Sequence, residues 1–175
     1  MGWRGQLKLI DDNMASEHGG RLSVGRQKGR RPFSGKKSMH LVLRSDVAKG
    51  PLSLLQKRHA SFIRACLSNL SCRYEVCVYQ FGNAGSHLHL VIRAKRRESF
   101  QAFLRAFAGT VALKVTGASK SNPFGKFWRY LCYSRLVEWG AAFKTVRAYV
   151  WQNQLEGLGL IPYQARKIRP PPAQG

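Results

Sequence analysis

Two short patterns in this sequence bring together side chains that can do chemistry. In His87-Leu88-His89 two imidazoles stand two positions apart, and Tyr149 is followed four positions later by Asn153. If residues 87–89 are extended, both rings share one strand face while Leu88 and Leu90 point to the other. Two imidazoles side by side can chelate one divalent metal ion. If residues 149–153 are helical, Tyr149 and Asn153 project together, because residues four apart share a helix face. A tyrosine hydroxyl can attack a phosphodiester, and an amide oxygen one turn away can complete a metal's coordination. Each pattern also has a plainer explanation. A histidine pair can be incidental, and a tyrosine on an amphipathic helix often serves as half-buried packing.

The surrounding pattern supplies elements able to hold these groups. Met39–Arg44 is a short apolar run and reads as a strand. Gly50-Pro51 breaks it, and Leu52 to Leu70 carries apolar residues at near-helical spacing. Tyr74–Phe81 and Ser86–Ala94 read as strands joined by a turn at Gly82-Asn83-Ala84-Gly85. Phe100, Phe103, Leu104, Phe107, Val111 and Val115 step at three to four residues and mark a second helix. After the break at Ser121-Asn122-Pro123, Phe127 to Val137 reads as a strand and Ala141 to Leu158 as a final helix. The order βαββαβ plus a helix predicts an α+β fold of ferredoxin-like type, with the histidine strand inside an antiparallel sheet. A group on an inner strand is held by neighbours on both sides.

Composition narrows the chemistry and the partner. The 175 residues include 30 Lys and Arg against 8 Asp and Glu, a formal charge of +22. A surplus of this size calls for a polyanion. Eight acids make a mechanism built on three or four carboxylates hard to assemble. Residues 1–37 read as a flexible basic arm and residues 162–175 as a basic, proline-rich tail. Between them, residues 38–161 carry 18 basic and five acidic residues, so the folded domain is itself strongly positive. The run Arg93-Ala94-Lys95-Arg96-Arg97 leads into the second helix, where cations oppose the helix dipole, and so suggests a phosphate partner. Trp128, Tyr130, Tyr133, Trp139 and Trp151 could stack unpaired bases. Four cysteines without a C-x-x-C spacing read as free thiols, and no apolar stretch is long enough to span a bilayer. A soluble, cytoplasmic protein is the expectation.

Taken together, these features resemble a known family. The basic arm with Arg30-Arg31-Pro32, a first strand His40-Leu41-Val42-Leu43-Arg44, the histidine pair after a hairpin and one downstream tyrosine followed by Asn153-Gln154 are similar to the single-tyrosine HUH transposases of the IS200/IS605 class. The REP-associated tyrosine transposases are nearest. The resemblance covers roughly residues 18–160, including His18-Gly19-Gly20, Phe127-Trp128 and Ser134–Trp139. Two departures stand out. Asn83 is separated from His87 by three residues where the family has Asn directly before the first histidine, and Gln154 stands where Pro often follows the Asn.

The resemblance implies a metal-dependent single-stranded DNA endonuclease and strand transferase that cuts beside hairpin (REP, palindromic) DNA through a 5′-phosphotyrosine intermediate. Tyr149 would be the nucleophile. His87, His89 and Asn153, with Gln154 as the alternative third ligand, would hold Mg²⁺ or Mn²⁺; Asn153 is preferred because the i+5 position turns away from the tyrosine's face. The DNA-contacting candidates are Arg26, Lys28, Arg30, Arg31, Lys36, Lys37, Arg44, Arg93, Lys95, Arg96, Arg97 and Arg135. Residues before the first strand would read a short guide sequence, and the protein would act as a monomer or homodimer with no membrane partner. The competing expectation is a non-cleaving, domesticated binder of hairpin DNA or RNA. An RRM-type binder is disfavoured, because the third strand Ser86–Ala94 has no aromatic residue to stack a base.

Overall fold

The computed structural model describes residues 17–25 and 29–164. The sheet strands are β1 (Glu17–His18), β2 (Ser38–Arg44), β3 (Val76–Asn83), β4 (His87–Ala94) and β5 (Tyr133–Val137). The helices are α1 (Lys57–Arg73), α2 (Arg97–Thr116) and α3 (Ala141–Gly157), with short 3-10 turns at Gly20–Ser23 and Gly50–Leu52. The strand order is β1-β5-β2-β4-β3, and every pairing is antiparallel. Without β1 this is the expected ferredoxin-like order, and the histidine strand β4 lies between β2 and β3.

Strand alternation sorts the residues onto two faces. Met39, Leu41 and Leu43 of β2 and Leu88, Leu90 and Ile92 of β4 point to one side, where α1 and α2 cover them. Ile63 from α1 and Phe100, Phe103, Phe107 and Val111 from α2 complete that core. Each such side chain, fully removed from water, stabilises by roughly 1.5–3 kcal/mol. The intervening residues of β2 and β4 necessarily face the other side. There Val91, Val137, Val146 and Val150 form a smaller cluster with Tyr79, Phe143 and Tyr149 beneath α3.

Three boundaries differ from the sequence expectation. α1 begins at Lys57 and not near Leu52, because residues 53–55 are pinned to the β3–β4 hairpin: the Leu54 amide donates to the Gly85 carbonyl (2.9 Å). Gly82 and Asn83 belong to β3 and not to the turn. β5 starts at Tyr133, six residues later than expected, because Phe127 and Trp128 are adjacent yet both pack on the main core, which an alternating strand does not allow. Their polar groups bond irregularly instead. The Phe127 carbonyl accepts from Ser45 Oγ (2.6 Å), and Trp128 Nε1 donates to the Ala108 carbonyl (2.9 Å).

Part of the stretch read as a flexible arm is seated on the fold. Glu17 and His18 pair with Arg135 and Ser134 of β5. Arg31 donates to the Cys132 carbonyl (2.8 Å) and to Ser134 Oγ (2.5 Å), and Phe33 lies against Phe100. The rest of that arm, residues 1–16 and 26–28, and the tail from residue 165 lie outside the described residues.

Candidate active site

The site face of the sheet carries His87 and His89 on β4, His40 and Arg44 on β2, and Tyr133 and Arg135 on β5. α3 lies across it and brings Tyr149 and Asn153. A register shift in β3 between Val78 and Gln80 decides how close the helix comes. After the shift Phe81 faces the core and Gly82 faces the site, directly across from His89. A β-carbon on Gly82 would lie 2.8 Å from the Val150 carbonyl oxygen, so only glycine lets α3 rest here. Farther along, Gly157 meets Ala84 of the hairpin just as closely (2.5 Å from an added Cβ to Ala84 Cα). Two glycine contacts thus set the helix that carries the tyrosine.

His87, His89 and Tyr149 lie together, with Asn153 one turn along the helix from Tyr149. The rings of His87 and His89 have centroids 4.8 Å apart, and the Tyr149 ring stands edge-on to His89 with centroids 5.5 Å apart. Asn153 is 3% exposed, and its Nδ2 donates to the Tyr149 carbonyl (2.7 Å), so Oδ1 is the atom of Asn153 that could ligate. Gln154 is less buried, on the neighbouring face of α3.

Two more residues join the site: His40, expected only as part of the first strand, and Tyr133, expected only as a base-stacking aromatic. His40 lies edge to edge with His89, the two rings nearly coplanar (centroids 5.4 Å, planes 8° apart) and its Nε2 3.1 Å from His89 Nδ1, and stands edge-on to Tyr149 at 5.8 Å. Burial, with Arg135 nearby, pushes the His40 imidazolium down to about 4, so the ring is neutral at neutral pH. Tyr133 is the other addition, edge-on to His40 with centroids 6.3 Å apart. Burial first, then the charge of Glu17 and a hydrogen bond to it, push its phenol well above the usual range, which keeps Tyr133 a poor nucleophile. The available signal was alternation itself: once β4 faces a helix with its histidines, every second residue of β2 and β5 faces the same way.

Asn83 takes no part. It faces the opposite side, where Nδ2 donates to the Leu54 carbonyl (2.7 Å) and Oδ1 accepts from the Gly85 amide (3.0 Å). Its role is to shape the hairpin that leads into His87. Ser86 Oγ, at the end of that hairpin, lies 3.0 Å from His87 Nδ1.

The cationic candidates divide. Arg44, opposite His87, and Arg135, opposite His40, are exposed enough to flank the site, with Arg44 3.6 Å from Asp46 and Arg135 4.0 Å from Glu17. Arg31 and Arg97 serve the fold. Arg31 holds the start of β5, and Arg97 donates to the Arg31 carbonyl (2.7 Å) and covers the Phe33 ring. Arg96 pairs with Glu75 (3.1 Å), and Lys37 pairs with Glu138. Glu75, with Glu98 in the first turn of α2, places negative charge beside the basic run Arg93–Arg97. Arg30, Lys36 and Lys95 are exposed and Arg93 is half-buried. Arg26 and Lys28 lie outside the described residues.

No protein-family model matches the chain, and no curated protein does. Among solved structures, a REP-associated tyrosine transposase bound to a REP hairpin is similar, with a TM-score of 0.57 and 10% identity over 75% of this chain and 74% of that one. This chain has that transposase's fold. A chain from Deinococcus radiodurans R1, described provisionally as a transposase, matches at a TM-score of 0.44 and 16% identity, covering 74% of this chain and 98% of that one. At these identities the likeness to the REP-associated transposase extends to the fold, and the roles of side chains rest on their geometry. Among the described residues, no group of three or more His, Cys, Asp or Glu side chains is arranged to hold a metal. No helix among the described residues is long and apolar enough to cross a membrane.

Proposed function

We propose that this chain is a metal-dependent endonuclease and strand transferase of single-stranded, hairpin-bearing DNA, with Tyr149 as its nucleophile. The observation that carries this reading is the Tyr149 ring standing edge-on to His89, which lies beside His87, with the buried Asn153 one turn farther along the same helix. The donor set fits a divalent metal: His87, His89 and Asn153 offer two imidazoles and an amide oxygen, a mixture that suits Mn²⁺ and, less well, Mg²⁺. Such a metal, when bound, polarises the scissile phosphate and offsets charge on its oxygens.

Every other step falls to the chain itself. The Tyr149 oxygen gives up its proton and bonds to phosphorus while the bond to the 3′ oxygen breaks. The departing 3′ oxygen takes up a proton, leaving a 5′-phosphotyrosine. A second 3′-hydroxyl can reverse the step and join a new strand, so the phosphodiester energy is kept. Arg44 and Arg135 flank the histidines and supply charge for the phosphates on either side. Tyr133 is unsuited to attack, because its burial and Glu17 hold its proton.

A single-stranded REP-type hairpin oligonucleotide incubated with Mn²⁺ tests the reading. Cleavage is expected with the native chain and absent with Tyr149→Phe and with His87→Ala. Binding of the hairpin without cleavage at any metal concentration would favour the non-cleaving binder instead.

A further inference from the structure

Both candidate ligand histidines are held at the same ring atom. His87 Nδ1 lies 3.0 Å from Ser86 Oγ, and His89 Nδ1 lies 3.1 Å from His40 Nε2. Ligand histidines are commonly oriented by a hydrogen bond from the nitrogen that does not bind the metal, most often to a carboxylate, a backbone carbonyl or a water. This acid-poor chain has a third imidazole in that place. We propose that His40 is the positioning residue of His89: its Nε2 accepts a hydrogen bond from His89 Nδ1–H, which keeps the lone pair of His89 on Nε2 for the metal.

The geometry leaves His40 little freedom to do anything else. It is 7% exposed on an inner strand, nearly coplanar with His89 (planes 8° apart) so that the bond lies in the plane of both rings, and edged by Tyr133 and Tyr149. Where both rings are neutral, the bond can run in either sense. If His40 donated, the hydrogen of His89 would sit on Nε2 and block it as a ligand there. If His89 donates, the hydrogen of His40 sits on Nδ1, and a metal on His89 Nε2 strengthens the bond by drawing charge from the ring. The inference rests on the metal-site reading above, which is what selects the second sense.

The experiment separates the two. In ¹⁵N-labelled, metal-free full-length protein, long-range ¹H–¹⁵N correlation reads each tautomer directly. His89 is expected with its hydrogen on Nδ1 and His40 with its Nε2 unprotonated; a hydrogen on His89 Nε2 overturns the proposal whether or not metal binds. Mn²⁺ titration followed by electron paramagnetic resonance gives the second readout. His40→Leu, which removes the acceptor, is expected to weaken Mn²⁺ binding about 10- to 100-fold. His40→Gln, which keeps an oxygen near the position of Nε2, should stay within a few-fold of the native chain. Native affinity in His40→Leu, or an equal loss in both variants, overturns the positioning role while leaving the metal site standing. A native chain that binds no Mn²⁺ overturns the metal reading, and with it the reason for the tautomer.

Discussion

Gly82 lies directly beneath Val150: a β-carbon on Gly82 would sit 2.8 Å from the Val150 carbonyl oxygen and 2.9 Å from its Cγ1. Gly82 is also the register partner of His89, so the close approach that seats α3 on the sheet is the same one that brings Tyr149 beside the histidines. Gly82→Ala must push the helix backbone away, because the obstacle is main chain and cannot rotate aside. A loss of about 1–3 kcal/mol in stability is expected, as for overpacking elsewhere. DNA cleavage should fall more than the folded fraction does. A thermal melt beside a single-turnover cleavage assay checks this, and an unchanged cleavage rate would show that the contact does not set the site.

Asn83 offers the opposite pattern. Its side chain bonds the Leu54 carbonyl and the Gly85 amide on the face away from the histidines. Asn83→Ala leaves buried polar groups unmet and should cost about 1–3 kcal/mol. Activity per folded molecule should stay close to native. Chemical denaturation with parallel cleavage assays distinguishes a hairpin-shaping role from a chemical one.

The division among the arginines is open to a salt titration. Arg44→Ala and Arg135→Ala should each lower the slope of log K against log salt by about 0.7 for single-stranded DNA, with the fold intact. Arg31→Ala should instead lower the melting temperature, since its guanidinium holds the Cys132 carbonyl and Ser134 Oγ at the start of β5. Equal salt slopes for the native chain and the first two variants would remove Arg44 and Arg135 from the DNA interface.

The thiols report on the core. Burial pushes the Cys132 thiol up to about 12 and raises Cys66, while Cys72 and Cys77 are exposed. The thiolate is the reactive form, so a raised pKa keeps a thiol protonated and slow across the neutral and mildly alkaline range. Cys72 and Cys77 should label rapidly at pH 8, and Cys66 and Cys132 only on unfolding. Peptide mapping after a timed alkylation checks it, and fast native labelling of Cys132 would contradict the packing at the start of β5.

Much of this was legible in the residues because it depends on period. Alternation along Met39–Arg44 and Ser86–Ala94 separates core leucines from histidines, and the i, i+4 spacing of Tyr149 and Asn153 puts them on one helix face. His40 escaped notice because one histidine on a strand carries no spacing of its own; its meaning comes from pairing β2 beside β4, a long-range event. β1 was hidden for a related reason. Glu17–His18 is too short to show a period, and its partner Arg135–Ser134 lies far along the chain. The fold partners of the basic run before α2 were not legible, because Glu75, Arg31 and Phe33, which contact Arg96 and Arg97, come from other elements.

Tyr149 as nucleophile is tested most directly by trapping the covalent product. A single-stranded hairpin oligonucleotide carrying a cleavable site is incubated with the full-length protein and Mn²⁺, and the protein–DNA adduct is digested and mapped by mass spectrometry. A 5′-phosphate ester on the peptide containing Tyr149, absent in Tyr149→Phe and retained in Tyr133→Phe, is the predicted result. An adduct on Tyr133, or cleavage that persists in Tyr149→Phe, would contradict it.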